Sequence, residues 1–522
     1  MANNKQSLRR ELGLLTLVGV SVGSVIGSGI FVLPAVMGSV AGPAFILSVI
    51  LVGIIVMILG LVYAELGSTY SMTGGPYSLP RKAMGNTSGF VLGWGYFIYA
   101  FTGTAAIIDV FITYLGYYIP GLAVNFQLTP VGIFIGLIAL AIFTIINIMG
   151  VKLGAWYGLV TTFGKLIPLF LFVIIGLLFL KAPNFSPFLP YGLGGVGLAM
   201  AFDFFAFTGF ESVVIPSEEV KNPGKNIPRA MVLTILIVVV LYVLISIAFT
   251  GMFNWNGASL ASGDWSGVGG LSAPLATAAQ SVSLPLLVAI VVIGAIISTA
   301  GCGGDWVLLQ ARIPFAMAKN KLFWSPLSDI NKEHGTPVKA LIFASVLTGI
   351  TLIALPSFPQ VALLASITTL IPYAAAALTL PILRKNDAKT KRPFKLYGGT
   401  IFAVIGFVLS TFLIYWASWP WTLIGAILIL IGYPLYFLVK KEKLLEFKRN
   451  LWLIVYLIGI IVISLIGDTN FIYENFLPIG PTGWLTSPYD LIVLTVFSLI
   501  IFYWAYRVNS SVKPLTDDFV NA

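Results

Sequence analysis

Apolar runs long enough to cross a lipid bilayer recur fourteen times along this chain of 522 residues. About 20 helical residues are needed to cross a hydrocarbon core of ~30 Å. Only 9% of the residues are charged, against about 25% in ordinary soluble domains, so lipid must be the solvent for most of the surface. The sequence predicts an all-α integral membrane protein of about fourteen transmembrane helices. The predicted spans are 13–36, 44–63, 89–119, 131–149, 155–180, 197–215, 230–252, 276–309, 340–355, 361–383, 400–416, 421–439, 451–465 and 491–506.

Basic residues cluster in alternate connections between these spans. With the N-terminus in the cytoplasm, all but two of the 29 Lys and Arg residues fall on the cytoplasmic side, as the positive-inside rule requires. The exceptions are Lys165, inside the fifth span, and Lys181, just beyond it. We therefore predict a multi-pass protein of the plasma membrane with both termini cytoplasmic. The net charge of +10 follows from this bias, and no basic helix or aromatic-basic stripe indicates a nucleic-acid partner.

The residues present give little indication of a metal site, an enzyme active site or a channel pore. One cysteine, Cys302, and one histidine, His334, cannot build a His/Cys metal cluster. We find no nucleophile–base pair or phosphate loop that would indicate an enzyme. A channel needs a continuous selective pore, and no repeated filter sequence is present.

The loops between spans are short, so the chain is predicted to be one membrane unit with appended parts. The Gly/Ser-rich segment 254–272 is predicted to be an external, partly ordered lid. The predicted parts are a cytoplasmic N-terminus (1–12), a ten-helix core (13–383), helices 11 and 12 with a basic loop before them (384–440), an additional helical hairpin (441–508) and a cytoplasmic tail (509–522).

Glycines interrupt the first and sixth spans at mid-membrane depth, at Gly27-Ser28-Gly29 and around Gly209. Unwound backbone at that depth is tolerated only where it is buried or lines a cavity. Two half-helices that meet at a break expose N–H groups at one end and carbonyls at the other, which complements a zwitterionic amino acid. The alternative is that these glycines only allow close helix packing. Matching breaks in two five-helix halves favour a binding site, as in inverted-repeat carriers.

Several motifs, in this order, carry a family resemblance. They are Gly27-Ser28-Gly29-Ile30-Phe31, Glu65-Leu66-Gly67-Ser68 with Gly74-Gly75-Pro76-Tyr77, Phe207 to Ser212 with Glu218 to Pro223 and Ile227 to Ala230, Arg312 to Met317, and His334 to Val338. Over roughly residues 10–440 the chain resembles the amino acid–polyamine–organocation family. The resemblance implies a LeuT-type fold, a 5+5 inverted repeat with helices 1 and 6 broken, and amino-acid transport by alternating access. Twelve helices are usual in that family, so fourteen is a departure.

The two breaks supply the predicted substrate site. The N–H groups of the first break are expected to bind the substrate carboxylate, and carbonyls of both breaks its ammonium group. The resemblance implies that Phe205 is an aromatic gate, and the small Ala206 leaves room for a substrate side chain. The predicted substrate-binding residues are Val25, Gly27, Ser28, Gly29, Phe205, Ala206 and Thr208.

Two ionisable residues, Lys165 and Glu211, are the predicted proton-coupling groups. Lys165 lies too deep in its span to reach the surface easily, although snorkelling is the alternative. The resemblance implies that its ammonium replaces a sodium ion, beside the hydroxyls of Ser298 and Thr299. We therefore expect no cofactor and no metal, with the proton preferred to Na⁺ as coupling ion. Glu211 is expected to accept hydrogen bonds from N–H groups freed by the helix break, or to relay a proton. The alternative is that it is a buried structural carboxylate.

The remaining carboxylates leave alternatives open. Asp109 and Asp203 are predicted to face an external vestibule, where either would recognise a cationic side chain on the substrate. Asp305 is expected near the inner end of helix eight in a structural position, and Glu65 is expected to pair with a loop cation. The main expectation is proton-coupled amino-acid symport. A substrate–product exchanger and a polyamine or organic-cation carrier are the alternatives. The expected partners are a small-molecule amino acid and the lipid bilayer, with a monomer or weak homodimer.

Overall fold

The computed structural model is almost entirely helical. It describes residues 12–70, 75–150, 155–217, 219–331, 333–440, 444–467, 480–511 and 514–515. The helices are α1 Leu14–Val25, α2 Gly29–Ala41, α3 Phe45–Thr69, α4 Gly75–Met84, α5 Asn86–Leu115, α6 Pro130–Ile148, α7 Ala155–Leu178, α8 Gly192–Phe207, α9 Pro223–Met252, α10 Trp265–Val268, α11 Pro274–Ser281, α12 Pro285–Lys319, α13 Val338–Ala354, α14 Phe358–Asn386, α15 Gly399–Trp416, α16 Trp421–Leu430, α17 Gly432–Val439, α18 Leu444–Ile466 and α19 Tyr489–Asn509. A two-stranded hairpin joins β1 Ala123–Val124 to β2 Gln127–Leu128.

Eleven helical segments of the described chain are long and apolar enough to cross a membrane. Two shorter apolar helices, Leu14–Val25 and Val338–Ala354, and the part Gly164–Leu178 of α7 account for the remaining predicted spans. Each of the fourteen predicted spans coincides with one or more of these helices. The predicted all-α membrane fold is confirmed.

The predicted eighth span was wrong at both ends. The single run 276–309 is divided between α11 and α12 by a turn in which Ser283 has a φ of 60°. Pro285 begins α12, where its missing N–H costs nothing. The helix then continues to Lys319, because a helix persists beyond the apolar stretch that hydropathy detects.

The first and sixth membrane segments lie side by side at the centre of the protein. α2 packs along α8, and α1 packs against a 3₁₀ turn at Phe210–Val213. A Cβ built on Gly29 would lie 3.1 Å from the Cβ of Ala206, so these backbones approach closely. α5 packs on both α12 and α14, and α14 packs on α8.

Both chain ends of the described structure meet the basic loops on one side of the protein, here called the basic face. The Leu12 N–H donates to the Glu219 carbonyl at 3.0 Å, and the Lys221 N–H returns a bond to Leu12 at 2.9 Å. At the other end, the Leu515 N–H donates to the Lys82 carbonyl at 3.2 Å. Most of the two predicted tails, residues 1–11 and 516–522, and the motif residues Gly74 and Glu218 lie outside the described residues.

A buried carboxylate ties the basic face together. Glu65, 1% exposed, accepts from Arg384 Nε at 2.9 Å and from the Leu396 N–H at 2.7 Å. Arg392 Nε lies 3.5 Å from Glu65 Oε1. The expected pairing of Glu65 with a loop cation is confirmed, and it links the ends of α3 and α14 to the loop that follows α14.

The opposite face is covered by the Gly/Ser-rich segment 254–272. This segment contains α10, whose first turn is capped by Asp264, which accepts the Gly267 N–H at 3.0 Å. A bond from Ser266, together with that one, lowers the pKa of the Asp264 carboxyl. Trp265 is 2% exposed and packs against Gly38 of α2. The segment is therefore seated on the outer end of α2.

The last two helices form a hairpin on one side of the protein. α18 and α19 pack on each other, α19 on α15 and α18 on α16. The Tyr415 hydroxyl donates to the Asp490 carboxylate at 2.7 Å, and the Asn386 amide donates to the Asn509 carbonyl at 2.9 Å.

Candidate functional site

A cavity lies where the two helix breaks meet. All seven predicted substrate-binding residues line it. The other lining residues are Ser24, Tyr99, Gly103, Ile107 and Trp306.

The first break presents an uncapped helix N-terminus to the cavity. α1 ends at Val25 and α2 begins at Gly29, with Ser28 at the N-cap position. The Ser28 side chain, 1% exposed, makes no cap bond, and its hydroxyl has no partner among the described residues. The first turn of α2 therefore directs its N–H groups and positive dipole end at the cavity, as a carboxylate requires.

The backbone carbonyls at the second break accept hydrogen bonds from nearby hydroxyls. Thr208 Oγ1 donates to the Phe205 carbonyl at 2.6 Å. The Tyr242 hydroxyl donates to the Ala206 carbonyl at 3.1 Å and lies 3.4 Å from the Val25 carbonyl. The carbonyls expected to bind an ammonium group are thus partly occupied, and the Phe205 carbonyl also accepts the Thr208 N–H at 3.3 Å.

Gly209 allows the chain to turn at this second break. Its φ is 99°, a left-handed conformation that side chains disfavour. A Cβ at this position would also lie 2.9 Å from the Ser24 carbonyl oxygen. The sixth-segment break therefore depends on glycine both for its backbone conformation and for its close approach to α1.

The Lys165 amine lies on the carbonyl end of α1. Its Nζ donates to the Gly23 carbonyl at 2.8 Å and the Ile26 carbonyl at 3.1 Å, and lies 3.4 Å from the Cys302 sulfur. The side chain is 4% exposed, so the snorkelling alternative is wrong. The ammonium charge complements the negative end of the helix dipole.

The two hydroxyls predicted beside this lysine have different surroundings. Thr299 Oγ1 donates within its own helix to the Ala295 carbonyl at 2.7 Å. Ser298 is fully buried, and its hydroxyl has no partner among the described residues. The predicted replacement of a sodium ion by Lys165 stays a prediction.

Glu211 is enclosed by aromatic hydroxyls beside the second break. It accepts from the Tyr96 hydroxyl at 2.7 Å and from the Gly209 N–H at 3.1 Å. The Tyr373 ring packs edge-on against Phe210 at 5.1 Å, next to this carboxylate. The structure thus shows the expected bond to an N–H freed by the break, and proton transfer through Glu211 remains a proposal.

Three other carboxylates do not lie where we predicted. Asp109 and Asp203 are 0% and 1% exposed and do not line the cavity, because their helices turn them into the packed interior rather than to a vestibule. Asp305 lies well before the end of α12, since that helix runs on to Lys319, and it is exposed.

The cavity is closed toward the face opposite the basic face. The Phe205 ring packs edge-on against Phe358 with centroids 5.7 Å apart, and the Tyr114 hydroxyl donates to the Phe31 carbonyl at 2.7 Å. Toward the basic face, the cavity residues Ser24 and Trp306 are only half-buried. The cavity is therefore less enclosed toward the basic face than toward the opposite face.

Sequence reasoning did not name the individual residues that α5 and α12 contribute to the cavity wall. Tyr99, Gly103 and Ile107 repeat every four residues, which places them on one face of α5. That spacing is visible in the sequence. It does not stand out, however, because apolar and small residues occur all round this helix.

Comparison with known proteins identifies the family of this chain. The model of the amino acid permease family matches residues 12–466. The glutamate/serine transporter AimA of Bacillus subtilis is 30% identical over 98% of this chain and 96% of its own length. The aspartate-proton symporter of the same organism is 28% identical over 96% of each chain. An arginine/agmatine antiporter of Chlamydia abortus is 27% identical over 85% of this chain and 92% of its own.

The broken first and sixth segments, the cavity between them and the family match all agree with the motif resemblance. The match covers far more than half of the chain. The protein is a secondary transporter of amino acids rather than an enzyme, and it belongs to the amino acid permease family, within the wider amino acid–polyamine–organocation family.

Proposed function

We propose that the protein imports amino acids across the plasma membrane by proton-coupled symport. One observation carries the proposal, namely that the same cavity meets the uncapped N-terminus of α2 and the carbonyls that end α1 and α8. A zwitterionic amino acid fits this arrangement with its carboxylate at the α2 end and its ammonium group at the carbonyls.

The cavity wall favours a substrate with an uncharged side chain. No Asp, Glu, Lys, Arg or His is among the described residues that line it. Phe205, Ile107 and Trp306 supply apolar wall, and Gly103 and Ala206 supply space. A charged substrate side chain would be desolvated here without a partner, which is costly. This supports neutral amino acids over polyamines and other organic cations.

Lys165 supports the proton as coupling ion. Its amine occupies the carbonyls at the end of α1 and is buried. A proton gained or lost at this buried amine changes the attraction between α7 and the carbonyl end of α1. The carrier can thus couple proton binding to the movement of the broken helices. Glu211 is the second candidate for this role.

Orientation and assembly complete the proposal. The basic loops and both described chain ends share one face, which supports cytoplasmic termini under the positive-inside rule. The less enclosed side of the cavity then faces the cytoplasm. We propose a monomer or weak homodimer.

Uptake into liposomes tests the proposal. Purified protein should accumulate a neutral radiolabelled amino acid when the lumen is alkaline relative to the medium, with no Na⁺ present. Accumulation that requires preloaded internal substrate and ignores the proton gradient would favour an exchanger instead. Failure of every neutral amino acid to compete for uptake would refute the assignment of the cavity.

A further inference from the structure

An exposed carboxylate lies close to the proposed coupling lysine. Cys302 faces Lys165, with its sulfur 3.4 Å from Nζ. Asp305 follows three residues later on α12, about one turn further toward the basic face, so the two side chains share a face of the helix. The Asp305 carboxylate therefore lies within range of electrostatic attraction to the Lys165 ammonium, without a direct ion pair.

The surroundings of Asp305 indicate that it faces water. An ionised carboxylate is not stable against lipid at membrane depth. The next residue, Trp306, lines the cavity, which is least buried toward the basic face. Asp305 therefore lies on the water-filled side of α12, while Lys165 is buried at 4% exposure.

The groups around Lys165 come from three elements. α1 presents the carbonyls of Gly23 and Ile26, which accept hydrogen bonds but cannot take up a proton at ordinary pH. α9, which packs on α1, presents Tyr242, whose hydroxyl donates to the Ala206 carbonyl. α12 presents the Cys302 thiol and, beyond it, Asp305. Asp305 is the proton acceptor in this group that also reaches water.

We propose that Asp305 accepts the proton that Lys165 releases and passes it to the cytoplasm. An N–H bond of the ammonium breaks and an O–H bond forms on the Asp305 carboxyl, and intervening water carries the proton between them. Lys165 is left as a neutral amine. The carboxyl then loses the proton to cytoplasmic water and returns to its ionised form. This inference rests on the proposed proton coupling through Lys165.

Neutralising Asp305 should slow net proton-driven transport without blocking the substrate path. In liposomes, Asp305→Asn should reduce gradient-driven accumulation by about tenfold or more, since a lost proton acceptor typically costs at least that. Substrate counterflow at equal pH on both sides, which requires no net proton release, should stay within about twofold of wild type on the same argument. Asp305→Glu should retain accumulation.

Chemical rescue separates proton transfer from a structural role. Imidazole enclosed in the liposomes should restore accumulation by Asp305→Ala, because a small base can take the proton at the vacated position. The same imidazole should leave wild-type uptake unchanged, which controls for leakage of the gradient. Asp329→Asn is the matched control. It removes an exposed carboxylate of the same face, paired with Lys339 at 2.6 Å, and should behave as wild type.

Two results would overturn the inference while leaving proton coupling intact. One is normal accumulation by Asp305→Asn alongside lost accumulation by Lys165→Ala. The other is equal loss of accumulation and counterflow in Asp305→Ala with no response to imidazole. Wild-type protein that ignores the proton gradient would instead overturn the proposed function, and this inference with it.

Discussion

Adding a side chain at Gly29 should disturb the substrate site more than the fold. Gly29 begins α2, and a Cβ built there lies 3.1 Å from Ala206 Cβ and 3.2 Å from Ala206 Cα. Carbon atoms in contact settle at about 3.5–4.0 Å, so the two breaks must separate by about 0.5 Å. Ala206 Cα is backbone and cannot rotate away. The start of α2, with its N–H groups, must move instead.

The size of the effect follows from the cost of overpacking. Inserting a methyl group into a tight contact costs about 1–3 kcal/mol. The free protein relieves that cost by letting the breaks separate, whereas bound substrate requires both breaks at once. Each ~1.4 kcal/mol is tenfold in affinity, so substrate binding should weaken about 5- to 150-fold. Gly29→Ala should fall near the lower limit and Gly29→Val near the upper.

Equilibrium binding of labelled substrate to purified protein measures this effect. Gly406→Ala is the matched control, because a Cβ there lies 3.0 Å from Leu59 Cδ2, an equally short contact at the α15–α3 interface, away from the cavity. It should bind substrate as wild type does. Wild-type affinity in a folded Gly29→Val protein would refute the reasoning and reduce the Gly-Ser-Gly segment to a packing feature.

Three further predictions concern size selection, stability and orientation. Gly103→Val should exclude bulky amino acids while small ones still compete for uptake, because Gly103 lines the cavity with only its neighbour Tyr99 near a built Cβ; an unchanged competition profile would contradict this. Glu65→Ala should lower the thermal midpoint in detergent clearly, since breaking a buried ion pair costs about 3–5 kcal/mol; an unchanged midpoint would count against the role of Glu65 on the basic face. With the native cysteine replaced by serine, a cysteine at position 225 should be labelled only from inside and one at position 264 only from outside; labelling of both from one side would exclude the proposed topology.

The helices of this protein were predictable because lipid imposes a simple rule. A membrane helix must be apolar over a fixed length, so each predicted span coincides with a helix of the structure. The boundaries were less predictable where that rule stops applying. The basic-face end of α12 carries Asp305 and Arg312 and continues to Lys319, and hydropathy does not detect a helix that has left the apolar region.

The substrate cavity was predictable in part for a similar reason. Gly27, Gly29 and Gly209 are expensive inside a helix, so their clustering in the sequence marks the two breaks. The residues Tyr99 and Trp306, which α5 and α12 contribute to the cavity wall, do not destabilise a helix, so nothing in the sequence marks them. Tyr99 and Trp306 are ordinary residues for buried membrane helices, and only three-dimensional packing shows which face of each helix meets the breaks.

The buried carboxylates were the least predictable feature. Sequence places Asp109 and Asp203 within spans but does not say which way each helix is turned. Asp305 illustrates the opposite error, since it was assigned a structural position and lies exposed near Lys165. A helix that is apolar all round has no distinct polar face by which its rotation can be determined.

The measurement that tests the central claim most directly is uptake by Lys165 variants in liposomes at imposed proton gradients, paired with substrate binding on the same preparations. Lys165→Ala removes the amine from the Gly23 and Ile26 carbonyls and should abolish gradient-driven accumulation while binding survives at least in part. Lys165→Arg should fail as well, because a guanidinium does not release its proton in the accessible pH range. Accumulation by Lys165→Ala in proportion to the gradient would contradict the account, since proton coupling would then proceed without the lysine.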